Sequence, residues 1–338
     1  MDLKDSMKEY IKLMRPRQWF KSFYITIGAI PAILLMTTNY ESALMLLSLS
    51  ILNMIIIQGL IYTINDLSDV EVDRIHPKKK FRPIASGKIN KNSAKLFIVL
   101  LSILAIVTAL LLDPKVLMID IALVIINLLY SLKPVRLKDI SYLDVLTAAI
   151  NFPLRVAVGW LVFEPINTAK LNISLDVLTA TAFAEESLQS TFLNIPPRII
   201  EFGTSFSTTT LSFISIMLFT YFTATFLLTM KRLAEKTTLE NPEKMRPSLQ
   251  KYTLTRLKVM ALFSSIIMIA SASIFAMSFK TTFLITIPLL IYFIFWYYKL
   301  AWEDNSEVAE PEKVFTKNKK FLTLFLLTIV ATVAAILL

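Results

Sequence analysis

The chain has 338 residues, 55% of them hydrophobic, with a formal net charge of +10 and no cysteine, and its mean hydropathy is +0.63. So much apolar sequence excludes a soluble globular protein of this length, and the missing thiols exclude disulfides and thiolate metal sites. The basic residues gather at the ends of apolar runs, which points to a membrane surface and gives no reason to expect a nucleic-acid partner.

Nine apolar runs approach the ~20 residues that a bilayer-spanning helix needs: 20–37, 42–64, 94–112, 116–132, 142–163, 207–230, 257–277, 281–300 and 320–338. The prediction is an all-α, polytopic membrane protein, one domain over 1–338. The segment before the first run carries acids and has no apolar stretch of its own, so no cleavable signal peptide is expected. Basic residues crowd the N-terminus and the connections after the second, fourth and sixth runs, and they recur before the ninth. With nine spans all of these fall on one side, which the positive-inside rule makes cytoplasmic, leaving the C-terminus outside. The connection 164–206 is then the one long outer loop, with a mildly amphipathic stretch from Leu171 to Leu193 that predicts one or two helices lying at the surface.

In chain order, the first polar feature is Arg15-Pro16-Arg17-Gln18-Trp19-Phe20-Lys21. Trp and basic residues there are usually an interfacial anchor, with Arg17 and Lys21, one turn apart, as cavity-facing residues the alternative. The second run ends in Asn65-Asp66-Leu-Ser-Asp69-Val-Glu71-Val-Asp73-Arg74. Asn65, Asp69 and Asp73 recur at i, i+4 and i+8, so one helix face carries three oxygen-bearing side chains with Asp66 beside them. Such a face suits Mg²⁺, a hard ion that takes oxygen ligands and shares them with phosphates, and so suggests a diphosphate substrate. The bland alternative is a solvated helix end paired with Arg74 and Lys78.

The basic run His76-Pro77-Lys78-Lys79-Lys80-Phe81-Arg82-Pro83 follows. It is either a lipid-headgroup anchor or a clamp in which Lys78, Arg82 and their neighbours grip phosphates. His76, the single histidine, reads as a structural hydrogen-bonding residue. Tyr130, Lys133, Arg136 and Lys138 join the fourth and fifth runs; Asp144, Asn151 and Arg155 enter the fifth. Asp144 and Arg155 either pair with each other or line a polar pocket, since ionisable groups inside a membrane are functional candidates. Lys231-Arg232-Leu-Ala-Glu235 ends the sixth run, with an ordinary Lys231–Glu235 helix salt bridge as the simple reading.

Together these residues resemble the UbiA superfamily of intramembrane prenyltransferases, through Asn65-Asp66-x-x-Asp69-x-x-x-Asp73 after the second span and Arg82-Pro83-x-x-x-Gly87 beyond it. The resemblance implies a helical bundle around a central cavity, open sideways to lipid and capped on the cytoplasmic side, whose acidic residues bind Mg²⁺ and a diphosphate. The family's second Asp-rich motif is replaced here by Lys231-Arg232-x-x-Glu235. That departure is similar to the decaprenyl-phosphate phosphoribosyltransferase branch, as are Arg15-Pro-Arg-Gln-Trp19-x-Lys21, His76-Pro-x-x-x-x-Arg82 and Pro311-Glu312-x-Val314.

The resemblance therefore implies Mg²⁺-dependent transfer of 5-phosphoribose from phosphoribosyl pyrophosphate (PRPP) to a polyprenyl phosphate. Asp66, Asp69 and Asp73, with Asn65, would hold the metal; Arg17, Lys21, Lys78, Arg82, Tyr130, Lys133, Asp144, Arg155, Lys231, Arg232 and Glu235 would line the substrate site. The nearest rival keeps the fold and uses a prenyl diphosphate donor with an aromatic, haem or glycerol-phosphate acceptor. A non-catalytic lipid-binding protein or transporter is a third reading, disfavoured because the charge lies at one membrane face.

Overall fold

The structure, a computed structural model, describes residues 3–36, 40–163, 208–238, 246–303, 308, 314 and 318–337. The outer stretch expected to hold surface helices and the Pro311-Glu312 motif lie outside the described residues, Val314 excepted.

All described elements are helical. Short 3₁₀ turns apart, they are α1 (Leu3–Leu13), a 3₁₀ helix (Pro16–Tyr24) running into α2 (Ile25–Met36), α3 (Tyr40–Ser68), α4 (Val70–Ile75), α5 (Lys91–Leu112), α6 (Pro114–Ser131), α7 (Leu143–Leu161), α8 (Thr208–Thr238), α9 (Leu254–Phe279), α10 (Ile287–Glu303) and α11 (Lys319–Leu337). Among the described residues nine stretches are long and apolar enough to cross a membrane, the first joining the 3₁₀ helix to α2. The nine expected runs correspond to these helices. The largest shift is at the sixth, where the helix runs past the apolar run to Thr238; at the second the helix continues to Ser68 and carries Asn65 and Asp66 in its last turn.

Local chemistry sets several of the starts. Asn90 and Thr253 cap α5 and α9, their side-chain oxygens accepting from the Ser93 and Arg256 amides at 2.7 and 3.2 Å. Asp113 caps α6 in the same way, with Pro114 at the first helical position where no amide is needed.

The bundle packs around two apolar clusters. One joins α2, α3, α5, α6 and α7 through residues such as Ile25, Met54, Ile57, Leu123 and Trp160. The other joins the start of α7 to α8, α9, α10 and α11 through Val145, Phe226, Leu257, Tyr297 and Phe321. Large apolar side chains such as Leu96, Val99, Phe263 and Phe295 point outward, as they do in a lipid-facing surface. α7 is the most buried span and contributes to both clusters.

Two glycines fix α7 against α2. A Cβ on Gly159 would lie 2.0 Å from the Ile25 carbonyl oxygen, and one on Gly28 would lie 2.0 Å from that of Val156. Both obstacles are backbone, so no side-chain rotation relieves them. Small residues allow helices in lipid to approach this closely, and dispersion contacts then hold them together. Gly159→Ala is expected to push the helices apart at a cost of about 1–3 kcal/mol or more, seen as a lowered melting temperature and reduced recovery of monodisperse protein from detergent.

Candidate functional site: two ion-pair clusters at one end of the bundle

The acidic motif does not form one uninterrupted helix face. α3 ends at Ser68, Asp69 (φ −94°, ψ 7°) leaves the helical region, and α4 starts at Val70. Backbone bonds from the Asp69 amide to the Asn65 carbonyl and from the Asp73 amide to the Asp69 carbonyl keep the chain coiled across the break. The expected row of Asn65, Asp69 and Asp73 is thereby replaced by a different grouping. Asp66 and Asp73, two turns apart, converge on Arg82, whose Nη1 lies 3.1 Å from Asp66 Oδ1 and 2.6 Å from Asp73 Oδ2. Asp69 faces Lys138 instead, at 3.8 Å. Partial burial pulls the Lys138 ammonium below its usual range, with Asp69 opposing that shift.

A second guanidinium reaches the same carboxylate. Arg15 Nη2 lies 2.5 Å from Asp66 Oδ1, and the Arg15 guanidinium lies over the Tyr62 ring, 4.5 Å from its centroid. Arg15 occupies the left-handed region (φ 51°, ψ 69°) immediately before Pro16, a conformation that costs a non-glycine residue energy and is found where surrounding structure imposes it. The Trp19 indole N–H closes that turn by donating to the Met14 carbonyl at 3.1 Å. In the N-terminal stretch it is therefore Arg15 that meets the acids. Arg17 is exposed and Lys21 lies half-buried over the Phe20 ring.

Two oxygens of this cluster are unsatisfied. Asn65 Oδ1 and Asp73 Oδ1 are buried and accept no hydrogen bond; Lys79 Nζ approaches the latter to 3.9 Å. Lys78 and Lys133 are exposed. His76 is structural as expected, its Nδ1 accepting from the amides of Lys78 and Lys79 at 3.1 and 3.2 Å. Gly87 (φ +78°) closes the turn that returns the chain to α5.

The second cluster is centred on Asp144 at the start of α7. This carboxylate is fully buried. It accepts from Arg232 Nε at 2.7 Å, Ser248 Oγ at 2.9 Å and the Tyr252 hydroxyl at 2.7 Å. Burial and the Asp144 charge push the Tyr252 hydroxyl above its ordinary pKa, so it stays a donor. The expected Asp144–Arg155 alternative is thus corrected: Asp144 pairs with Arg232. The expected Lys231–Glu235 bridge is corrected as well, for Glu235 accepts from Arg232 Nη1 at 2.9 Å and lies 3.3 Å from Arg246 Nε. Lys231 is half-buried, and Tyr130 lies beside Arg232 and Arg246. Arg246, Ser248 and Tyr252 all come from the connection before α9, which the sequence reading left without a role.

The segment 136–144 ties the two clusters together. Lys138 reaches Asp69 on one side. On the other, the Ser141 hydroxyl donates to the Ser248 carbonyl and the Tyr142 amide donates to the Tyr252 hydroxyl at 2.8 Å. Among the described residues no three His or acidic side chains stand close enough together to form a metal site; Arg82 lies between Asp66 and Asp73, and Asp69 points to Lys138.

Comparison with known proteins agrees with this architecture. The UbiA prenyltransferase family model matches residues 25–324. A decaprenyl-phosphate phosphoribosyltransferase of Mycolicibacterium smegmatis is 29% identical over 157 residues, 46% of this chain and 48% of the relative. A digeranylgeranylglyceryl phosphate synthase of Saccharolobus solfataricus is 35% identical over 159 residues, 47% of this chain and 53% of the relative. An uncharacterized protein, y4nM, of Sinorhizobium fredii is 32% identical over 153 residues, 45% of this chain and 28% of that protein. The matched stretch therefore spans about half or less of these relatives. Two solved structures share the fold at 19% identity. One is a digeranylgeranylglyceryl phosphate synthase, with TM-score 0.67 over 99% of this chain and 100% of that one. The other is a UbiA homolog from Archaeoglobus fulgidus bound to GPP and Mg²⁺, with TM-score 0.63 over 98% and 100%. With the family model covering most of its length and an all-helical integral-membrane bundle beneath it, this chain belongs to the UbiA prenyltransferase family.

Proposed function

We propose that this protein transfers 5-phosphoribose from PRPP to a polyprenyl phosphate at the membrane face that carries the two clusters. One observation carries the reading: the second cluster sets Arg232 and Arg246 on Asp144 and Glu235, where a second metal site would need a surplus of carboxylates. Two guanidiniums in that place suit a substrate with a further phosphate on its sugar. The relatives named decaprenyl-phosphate phosphoribosyltransferase, among them one of Mycobacterium tuberculosis that is 27% identical over 150 residues, support the same reading.

The acidic cluster fits Mg²⁺ in its donor chemistry. Its free atoms are hard oxygens, and Asn65 Oδ1 and Asp73 Oδ1 are buried without a hydrogen bond. Asp66, Asp69 and Asp73, with Asn65, would hold the ion, whose contribution when bound is to neutralise charge growing on the pyrophosphate. Arg15 and Arg82 are the neighbouring donors for pyrophosphate oxygens, and Lys79 stands behind them. Arg246 and Lys231 are the donors for the ribose 5-phosphate, with the plane of Arg232 fixed by Asp144 and Glu235.

In the reaction the ribose C1–O bond to pyrophosphate breaks and its electron pair leaves with the pyrophosphate. A lipid phosphate oxygen then forms the new C1–O bond. That oxygen is already anionic, so no general base is required and no proton changes hands. The positive-inside rule makes the clustered end cytoplasmic, with the C-terminus outside.

A second reading has its own support. The same acidic motif serves a prenyl diphosphate donor, and the Archaeoglobus fulgidus homolog that shares the fold is bound to GPP and Mg²⁺. One assay separates them. Purified protein with Mg²⁺ is expected to convert labelled PRPP and a polyprenyl phosphate into a labelled lipid, with the product lost on chelation. Product formed only from a prenyl diphosphate with an aromatic, haem or glycerol-phosphate acceptor would replace the first reading by the second.

A further inference from the structure

Arg155 lies inside α7, about 16 Å further along the helix than Asp144 at 1.5 Å per residue. It is 8% exposed. Its Nε is buried without a hydrogen-bond partner, and among the described residues no acid pairs with it. The phenols of Tyr62 and Tyr24 interact with it electrostatically. This contrasts with Asp66, Asp73, Asp144 and Arg232, each of which is buried and each of which is paired.

An unpaired buried charge is costly, and a carboxyl group escapes the cost by taking up a proton. A guanidinium has no such escape, because it stays charged at any ordinary pH. The fold nonetheless fixes this one firmly. The Gly28–Gly159 seam locks α7 against α2 just after it, at Val156 and Gly159, and the Tyr24 ring lies 5.1 Å from that of Phe152, one turn before it. The position is also connected to the acidic cluster. Asp66 holds Arg15, Arg15 lies over Tyr62, and Tyr62 borders Arg155.

We infer that Arg155 is the receptor for a phosphate monoester of the substrate, the anion that completes this buried cation. The inference rests on the transfer reaction proposed above, whose two substrates both carry such a group. A planar fork of donors suits a phosphate, and a place deep within an apolar span favours the lipid phosphate over the ribose 5-phosphate.

The test is equilibrium binding to the full-length protein in detergent, without Mg²⁺ or PRPP, using labelled farnesyl phosphate, farnesol and ribose 5-phosphate. Wild type is expected to bind farnesyl phosphate and not farnesol. Arg155→Met is expected to weaken that binding about ten- to a hundredfold, the worth of a charge-assisted pair. It should melt no lower than wild type, because it removes an unpaired buried charge. Lys91→Ala, which breaks only an exposed pair with Glu71, should bind farnesyl phosphate as wild type does. Should ribose 5-phosphate be the ligand that loses affinity, the phosphate-monoester site stands and its occupant is the water-soluble substrate.

Arg155→Gln and Arg155→Lys serve if the methionine variant does not fold. Folded variants that bind both phosphates as wild type overturn the inference. So does a wild type that binds neither, and so does a drop in melting temperature with binding intact, which would make the guanidinium structural. No PRPP is present, so failure of the phosphoribosyl reading would appear in the transfer assay and not in this one.

Discussion

Asp69→Ala is expected to lower Mg²⁺-dependent turnover by about a thousandfold or more, the scale seen when charge stabilisation at a leaving group is removed, while leaving the fold intact. The structure supplies the reason for the second half. Asp69 is partly exposed, lies at the break between α3 and α4, and its ion pair is a 3.8 Å approach from Lys138. Such exposed pairs contribute about 0–1 kcal/mol. The contrast is with Asp66→Ala, which removes the carboxylate shared by Arg15 and Arg82 and unfastens the Arg15 turn along with the site. Asp66→Ala should therefore lose both activity and thermal stability, and Asp69→Ala activity alone. Turnover and melting temperature measured on the two variants check this. Full activity in Asp69→Ala would remove that residue from the metal set.

Much of the site is legible in the sequence because carboxylates and arginines at membrane boundaries are few and must be compensated. The acidic motif, Arg82, Asp144, Arg155, Arg232 and Glu235 all stand out on that ground alone. Their partners do not. Helical spacing suggests Asn65, Asp69 and Asp73 as a row, but the backbone leaves the helix at Asp69 and the convergence shifts to Asp66 and Asp73.

Arg15 and Arg17 flank the same proline. Periodicity favours Arg17, while the left-handed turn that aims Arg15 at Asp66 is a tertiary effect with no local signature beyond the Pro16 that follows. Arg246, Ser248 and Tyr252 belong to a polar connection without periodicity, and their role appears only when that connection folds back onto α7. The span count follows from apolar length, whereas the Gly28–Gly159 seam is a property of the fold, since nothing local in the sequence says which helix a glycine will meet.

The largest expected effect on stability is at Asp144. Its carboxylate is 0% exposed, and the arginine it holds is 3% exposed. Asp144→Ala leaves Arg232 in the interior with Glu235 as its remaining acid, and it strips the Ser248 and Tyr252 hydroxyls of their acceptor. Breaking a buried pair from one side in this way costs about 3–5 kcal/mol, which should appear as a large drop in melting temperature. Asp144→Asn is not a neutral replacement, because it removes the charge that Arg232 pairs with, and an amide oxygen that still accepts from Arg232 Nε and Ser248 Oγ turns its NH₂ group onto the Tyr252 hydroxyl.

The pair also divides structure from function. Replacing both members by apolar residues, Asp144→Leu with Arg232→Met, removes the two charges together and should recover most of the stability lost by Asp144→Ala. If the recovered protein still fails to transfer, Arg232 acts on the substrate as well as on Asp144. If transfer returns with stability, the cluster is a clasp between α7, α8 and the connection before α9, and transfer does not require Arg232.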